Sequence, residues 1–126
     1  MSHPHINKKI LLVEDDDDFV FILVKKFTGE GFTIVTAKNG QEGVIAAQKE
    51  KPDIVLSDML MPVMDGMAMA HKIRELSPDL PIIFLTNIKD VDQALDAKES
   101  DKFDYLIKSD TRMDDIVLKV KTKLQI

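Results

Sequence analysis

Residues 52–66 read PDIVLSDMLMPVMDG. They set out one structural unit in order: an apolar run at Ile54, Val55 and Leu56, an acid at Asp58 where the run ends, and Asp65-Gly66 before segment 67–76. The run has strand length, Pro52 marks its start, and Asp65-Gly66 suits a turn and a helix start. Segment 67–76 carries apolar residues at helical spacing. The stretch is therefore a βα unit with a carboxylate at the carboxyl end of its strand.

The same unit recurs on either side. Strand-length apolar runs stand at 10–13, 32–37, 82–85 and 105–107, and helical spacing is found at 19–28, 41–48, 91–97 and 113–124. Gly29 and Gly31 bracket a helix end, Asn39-Gly40 marks a turn and Pro81 precedes the fourth run. Five strands alternating with five helices predict an α/β fold: a parallel sheet with helices on both faces, because right-handed crossovers put the connections there. Residues 1–8 read as a short polar lead-in, and 9–126 as a single domain with no output domain.

Composition narrows the function classes. A chain of 126 residues fits one core, and 44% hydrophobic with 31% charged residues fits a hydrated globule. The net charge of −5 and the lack of a basic patch argue against direct nucleic-acid binding. Without cysteine there is no disulfide, thiolate metal site or thiol nucleophile. The apolar runs are far shorter than a membrane span, and the polar start lacks a signal segment, so a cytoplasmic setting is the expectation.

In an open parallel sheet, ligands bind at the carboxyl ends of the strands. Those positions hold Glu14 and Asp15 after the first run, Asp58 after the third, Thr86 and Asn87 after the fourth and Lys108 after the fifth. Three converging carboxylates raise one another's pKa unless a cation joins them. Magnesium, with manganese as an alternative, prefers oxygen ligands of this kind. Asp15 and Asp58 would ligate it directly, the Leu60 backbone carbonyl could add a third ligand, and Glu14 could hold a metal-bound water. Asp58 then suits a carboxylate nucleophile in phosphoryl transfer, with Lys108 and the Thr86 hydroxyl neutralising phosphoryl charge.

Four pieces of the sequence carry a resemblance: ILLVEDD at 10–16, residues 52–66, PIIFLT at 81–86 and DYLIK at 104–108. Together they resemble the receiver domain of bacterial two-component response regulators, in the stand-alone form typified by the chemotaxis regulator. The resemblance implies a flavodoxin-like (βα)5 doubly wound sheet in strand order 2-1-3-4-5, a three-layer α/β/α sandwich. It also implies phosphorylation of Asp58 by a histidine kinase or histidine phosphotransfer protein, with Glu14 and Asp15 as the acidic pair and Lys108 as the phosphoryl contact. Thr86 and Tyr105 become the hydroxyl and aromatic switches. The output is expected on the face of the fourth helix, fifth strand and fifth helix, read by a downstream protein as a monomer or a phosphorylation-promoted dimer.

Several positions depart from the family pattern. Ser109 stands where proline in a cis bond is usual, and a cis bond before a non-proline costs about 3 kcal/mol, so either a trans bond or retained strain is expected. Asn87 replaces a small residue at the site mouth, and Asp101-Lys102 replaces Gly-Ala. Leu60 and Ile88 flank the acceptor with apolar groups, which predicts a long-lived phospho-Asp58 through exclusion of water.

Plainer roles suit other residues. Asp16, Asp17 and Asp18 fit a helix N-terminus, and Met59, Met61, Met64, Met67 and Met69 fit core or loop packing. His71 is expected to face solvent, and His3 and His5 could chelate only weakly, so no metal site is expected in the lead-in. Two competing functions are a pseudo-receiver binding module without regulated phosphorylation and an aspartyl-nucleophile phosphohydrolase. Asp15 and Asp17 superficially fit the latter, but the expected threonine is missing.

Overall fold

A computed structural model describes residues 6–61, 63–87 and 103–126. The chain runs β1 (Lys9–Val13), α1 (Asp17–Gly29), β2 (Thr33–Ala37), α2 (Gly40–Glu50), β3 (Ile54–Asp58), α3 (Gly66–Leu76), β4 (Ile82–Thr86) and β5 (Asp104–Ile107). A single 3-10 turn at Lys108–Asp110 leads into the C-terminal helix α4 (Met113–Leu124). The five strands form one sheet in the order β2-β1-β3-β4-β5, every neighbouring pair parallel. This is the expected flavodoxin-like topology. The expected helix at 91–97 lies outside the described residues, as do His3, His5, Pro62, Ile88, Asp101 and Lys102. Among the described residues no helix is long and apolar enough to cross a membrane.

Alternation along the central strands divides the core in two. Ile10, Leu12, Ile54, Leu56, Ile83 and Leu85 join Leu23 and Phe27 of α1 and Ile116 and Val120 of α4 on one face. Leu11, Val13, Val55, Ile82 and Phe84 join Met69, Ala70 and Ile73 of α3 on the other. Strands covered on both faces read as continuous apolar runs, which is why they stood out by length rather than by alternation. Met59 and Met69 are buried and Met61, Met64 and Met67 pack against the second core, so the methionines serve as filling. The outer strand β2 is different: Thr33 and Thr36 are exposed, Ile34 and Val35 half-buried, and none of its five residues is charged.

Helix starts follow their capping side chains. Asp16 Oδ1 accepts from the N–H groups of Asp18 and Phe19, Asn39 Oδ1 from Glu42 and Asp65 Oδ1 from Ala68. Each such cap typically contributes about 1 kcal/mol. Asp17 and Asp18 lie in the first turn of α1, where the helix dipole favours negative charge. His71 is solvent-exposed, with its ring edge-on to Phe103.

Ion pairs fasten α4 to both neighbours. Lys26 reaches Asp114 at 2.6 Å and Lys121 reaches Glu30 at 3.2 Å, tying it to α1. Asp104 at the start of β5 receives Lys123 at 2.7 Å and Lys119 at 3.6 Å. Partial burial raises the Asp104 carboxyl pKa, but these two ammonium groups outweigh it and hold the pKa below the ordinary 3.8. A depressed aspartate stabilises the fold above its unfolded pKa and loses that contribution as pH falls through the folded value. Asp104→Asn is therefore expected to lower stability at pH 7 by about 1 kcal/mol or less. Urea unfolding curves of the two proteins should begin to converge as pH falls to about 3.8 and meet only once it has passed the lower folded value.

Candidate functional site

The sheet register brings the acids together. Val13 pairs with Ser57, so Glu14, one residue beyond β1, comes level with Asp58 at the end of β3. Asp58 pairs with Leu85 and Thr86 with Ile107, so Thr86 and Lys108 end the next two strands at the same edge. One carboxylate oxygen each from Glu14, Asp15 and Asp58 lies within 4.8 Å of the others. Glu14 is buried, Asp58 half-buried and Asp15 exposed, so the cluster opens to solvent on one side.

Lys108 enters this cluster as a side-chain partner. Its Nζ donates to Glu14 Oε1 and lies 3.4 Å from Asp58 Oδ2, with only 11% of the side chain exposed. The other Glu14 oxygen, Oε2, accepts from the backbone N–H groups of Asp15 and Asp16 at 3.0 and 3.2 Å. Burial, above all, raises the pKa of Glu14 over the usual carboxylate value, and the charge of Asp58 pushes the same way. The hydrogen bonds from Lys108 and Asp16 oppose that rise. Three carboxylates against one ammonium leave an excess of two negative charges, which a divalent cation would neutralise. The donor set is all oxygen, as a hard ion requires, and the residues present therefore fit magnesium.

Asp58 is held from below. Its Oδ1 accepts from Met59 N–H at 2.7 Å and from Leu60 N–H at a longer 3.4 Å, while Ser57 Oγ donates to the Asp58 carbonyl at 2.7 Å. The Leu60 backbone is thus at the site, but the residue is 62% exposed and open to water. Asn87 is also exposed. The Lys108–Ser109 bond is trans, the first of the two alternatives, and Lys108 still reaches the acids from its 3-10 turn.

Thr86 and Tyr105 sit differently. Thr86 is buried at the end of β4, whereas Tyr105 is half-buried and stacks on Phe84, with ring centroids 5.8 Å apart. Phe84 pairs with Tyr105 and Thr86 with Ile107, which places Thr86 and Tyr105 on the sheet face that carries Phe84. Tyr105 is two residues short of the strand end and outside the acidic cluster.

One neighbour escaped the sequence reading. The Lys108 ammonium lies over the ring of Phe19, 4.5 Å from its centroid. Phe19 occupies the first turn of α1, directly after the acidic run, and that position carried the available signal: a helix leaving the carboxyl end of a strand overlooks the ligand site there.

A family model described as the response regulator receiver domain matches residues 10–121. The chain belongs to the response regulator receiver family. Its relatives include the DNA-binding transcriptional regulator NtrC of Salmonella typhimurium, 38% identical over 99 residues, which are 79% of this chain and 21% of that protein. The transcriptional regulatory protein GlrR of Escherichia coli is 37% identical over 108 residues, 86% of this chain and 24% of that protein. The chain thus spans about a fifth to a quarter of the length of these relatives. Among solved structures, a response regulator from Chloroflexus aurantiacus superposes with a TM-score of 0.85 at 29% identity, covering 96% of this chain and all of the other. A two-component response regulator from Clostridium difficile gives 0.84 at 28%, covering 94% and 97%.

Within this receiver fold, Gly66 packs against the strand end at Asp58. Its N–H donates to the Met59 carbonyl at 2.8 Å, and a Cβ added there would press on the Asp58 carbonyl oxygen and come within 3.0 Å of Met59 Cα and the Phe84 ring. Gly66→Ala is expected to cost about 1–3 kcal/mol in urea unfolding, because strand backbone must shift. Gly29→Ala has nothing within 4 Å of the new methyl, and should be neutral or stabilising by up to about 1 kcal/mol.

Proposed function

We propose that this receiver domain, residues 9–126, is a phosphorylation switch that accepts a phosphoryl group on Asp58 from a histidine kinase or histidine phosphotransfer protein. The observation that carries the reading is the meeting of Glu14, Asp15 and Asp58 within 4.8 Å, with the Lys108 ammonium 3.4 Å from Asp58 Oδ2. An Asp58 carboxylate oxygen attacks phosphorus. The bond from phosphorus to the donor's imidazole nitrogen breaks, and its electron pair leaves with the imidazole. Held by Glu14, Asp15, Asp58 and the Leu60 carbonyl, a magnesium ion would supply charge neutralisation for the phosphoryl oxygens.

The protein's own groups do the remaining work. Met59 N–H holds Asp58 Oδ1 in place, so the acceptor is oriented before the donor arrives. Lys108 rests on Glu14 within reach of Asp58, and a phosphoryl dianion would draw it across by charge. Thr86 would offer its hydroxyl to a phosphoryl oxygen, and Tyr105 would follow by leaving or tightening its stack on Phe84. The signal would then be read by a downstream protein on the face of segment 91–97, β5 and α4.

The test is intact-mass measurement after incubation with acetyl phosphate and magnesium chloride. Wild type should gain one phosphoryl mass, Asp58→Ala none, and a chelator should abolish the gain. A wild-type protein that neither gains mass nor takes up beryllofluoride in the presence of magnesium would overturn the reading.

A further inference from the structure

Lys108 carries a long, flexible side chain. Its side chain has four rotatable carbons, and the following residue is Ser109 in an ordinary trans linkage, so the backbone adds no special rigidity. Yet only 11% of its side chain is exposed, and its ammonium sits beside two carboxylates. Glu14 and Asp58 account for the attraction on one side. The same ammonium lies over the Phe19 ring, 4.5 Å from its centroid.

Phe19 is itself well anchored. Its N–H donates to the Asp16 cap at 3.3 Å, which fixes the first turn of α1, and its ring is half-buried against the core that α1 and α4 share. The negative π face attracts the ammonium and keeps water from it without offering a competing hydrogen-bond acceptor. A branched aliphatic residue of similar bulk would keep the packing but not the attraction.

We propose that Phe19 is a positioning residue for phosphoryl transfer, acting through Lys108: its ring fixes the ammonium beside Glu14 and Asp58 in the place from which it meets the incoming phosphoryl group. This role rests on the phosphoacceptor reading above. It assigns to a first-turn aromatic the restraint on Lys108 that the backbone at Ser109 does not provide.

The experiment uses the full chain and the variants Phe19→Leu, Phe19→Tyr, Lys108→Met and the Phe19→Leu/Lys108→Met pair. Phe19→Leu should slow acetyl-phosphate labelling of Asp58 about 3- to 10-fold, the range of a partly desolvated cation–π contact. Phe19→Tyr, which keeps the ring, should restore labelling to within about twofold. In the Lys108→Met background Phe19→Leu should have no further effect, since a residue acting only through the ammonium has nothing left to act on. Equal slowing by Phe19→Leu with and without Lys108 would overturn the proposal.

A second readout needs no phosphorylation. The side-chain methylene next to the Lys108 ammonium, recognised by its loss in Lys108→Met, should show a ring-current shift in the NMR spectrum of wild type and Phe19→Tyr. Phe19→Leu should move it to the ordinary lysine position. An unshifted signal in wild type overturns the contact whatever Phe19→Leu does to folding. Failure of wild-type labelling with the shift present would instead sink the phosphoacceptor reading and leave the contact standing.

Discussion

Parallel pairing of β1 and β3 in a single register is the constraint on which the site depends. Val13 against Ser57 leaves Glu14 level with Asp58, and the chain cannot separate those acids without slipping a strand buried on both faces. A slip by one residue would turn every core side chain of that strand to the opposite layer. Apolar burial thus holds like charges together. Lys108 relieves part of the repulsion, and what is left over is negative charge that a divalent cation would offset. The energy that makes the cluster receptive comes from the core beneath it.

Close packing also links Asp58 to β5. Gly66 lies against the Asp58 carbonyl and the Phe84 ring, Phe84 stacks on Tyr105, and Phe103 meets Phe84 edge-on at 5.4 Å. Arg74 of α3 covers Phe103 at 5.0 Å and donates to the Leu80 carbonyl. A rearrangement at Asp58 therefore meets a continuous line of packed rings leading to β5. At the other border of β5, Asp104 is engaged by two lysines of α4, so this strand joins an aromatic contact to an electrostatic one.

Much of this was legible in the sequence because parallel strands announce themselves. Runs such as Ile10 to Val13 have no polar interruption, and the strand end fixes which residue reaches the ligand edge. The caps at Asp16 and Asp65 could likewise be read from local chemistry. Side-chain partners across elements were harder. Nothing in a linear pattern says that Lys108 prefers Glu14 to Asp58, since both acids were placed at the same edge and each accepts backbone N–H groups through one oxygen; what differs is burial, which is deeper at Glu14. Phe19 was hidden for a related reason. An apolar residue at helical spacing reads as core, and its ring is half core and half wall of the site.

The outer strand β2 has a consequence for the molecule in a crowded solution. Five uncharged residues, four of them β-prone and two of those exposed threonines, offer backbone donors and acceptors along a border that no proline or inward charge blunts. Such a border invites another chain to add a strand. What opposes the encounter is carried elsewhere, in the net charge of −5 that makes two copies repel before their edges meet. Colloidal behaviour and signalling chemistry are thereby coupled. The acids gathered at the carboxyl end of the sheet also contribute to keeping one copy from zipping onto the next.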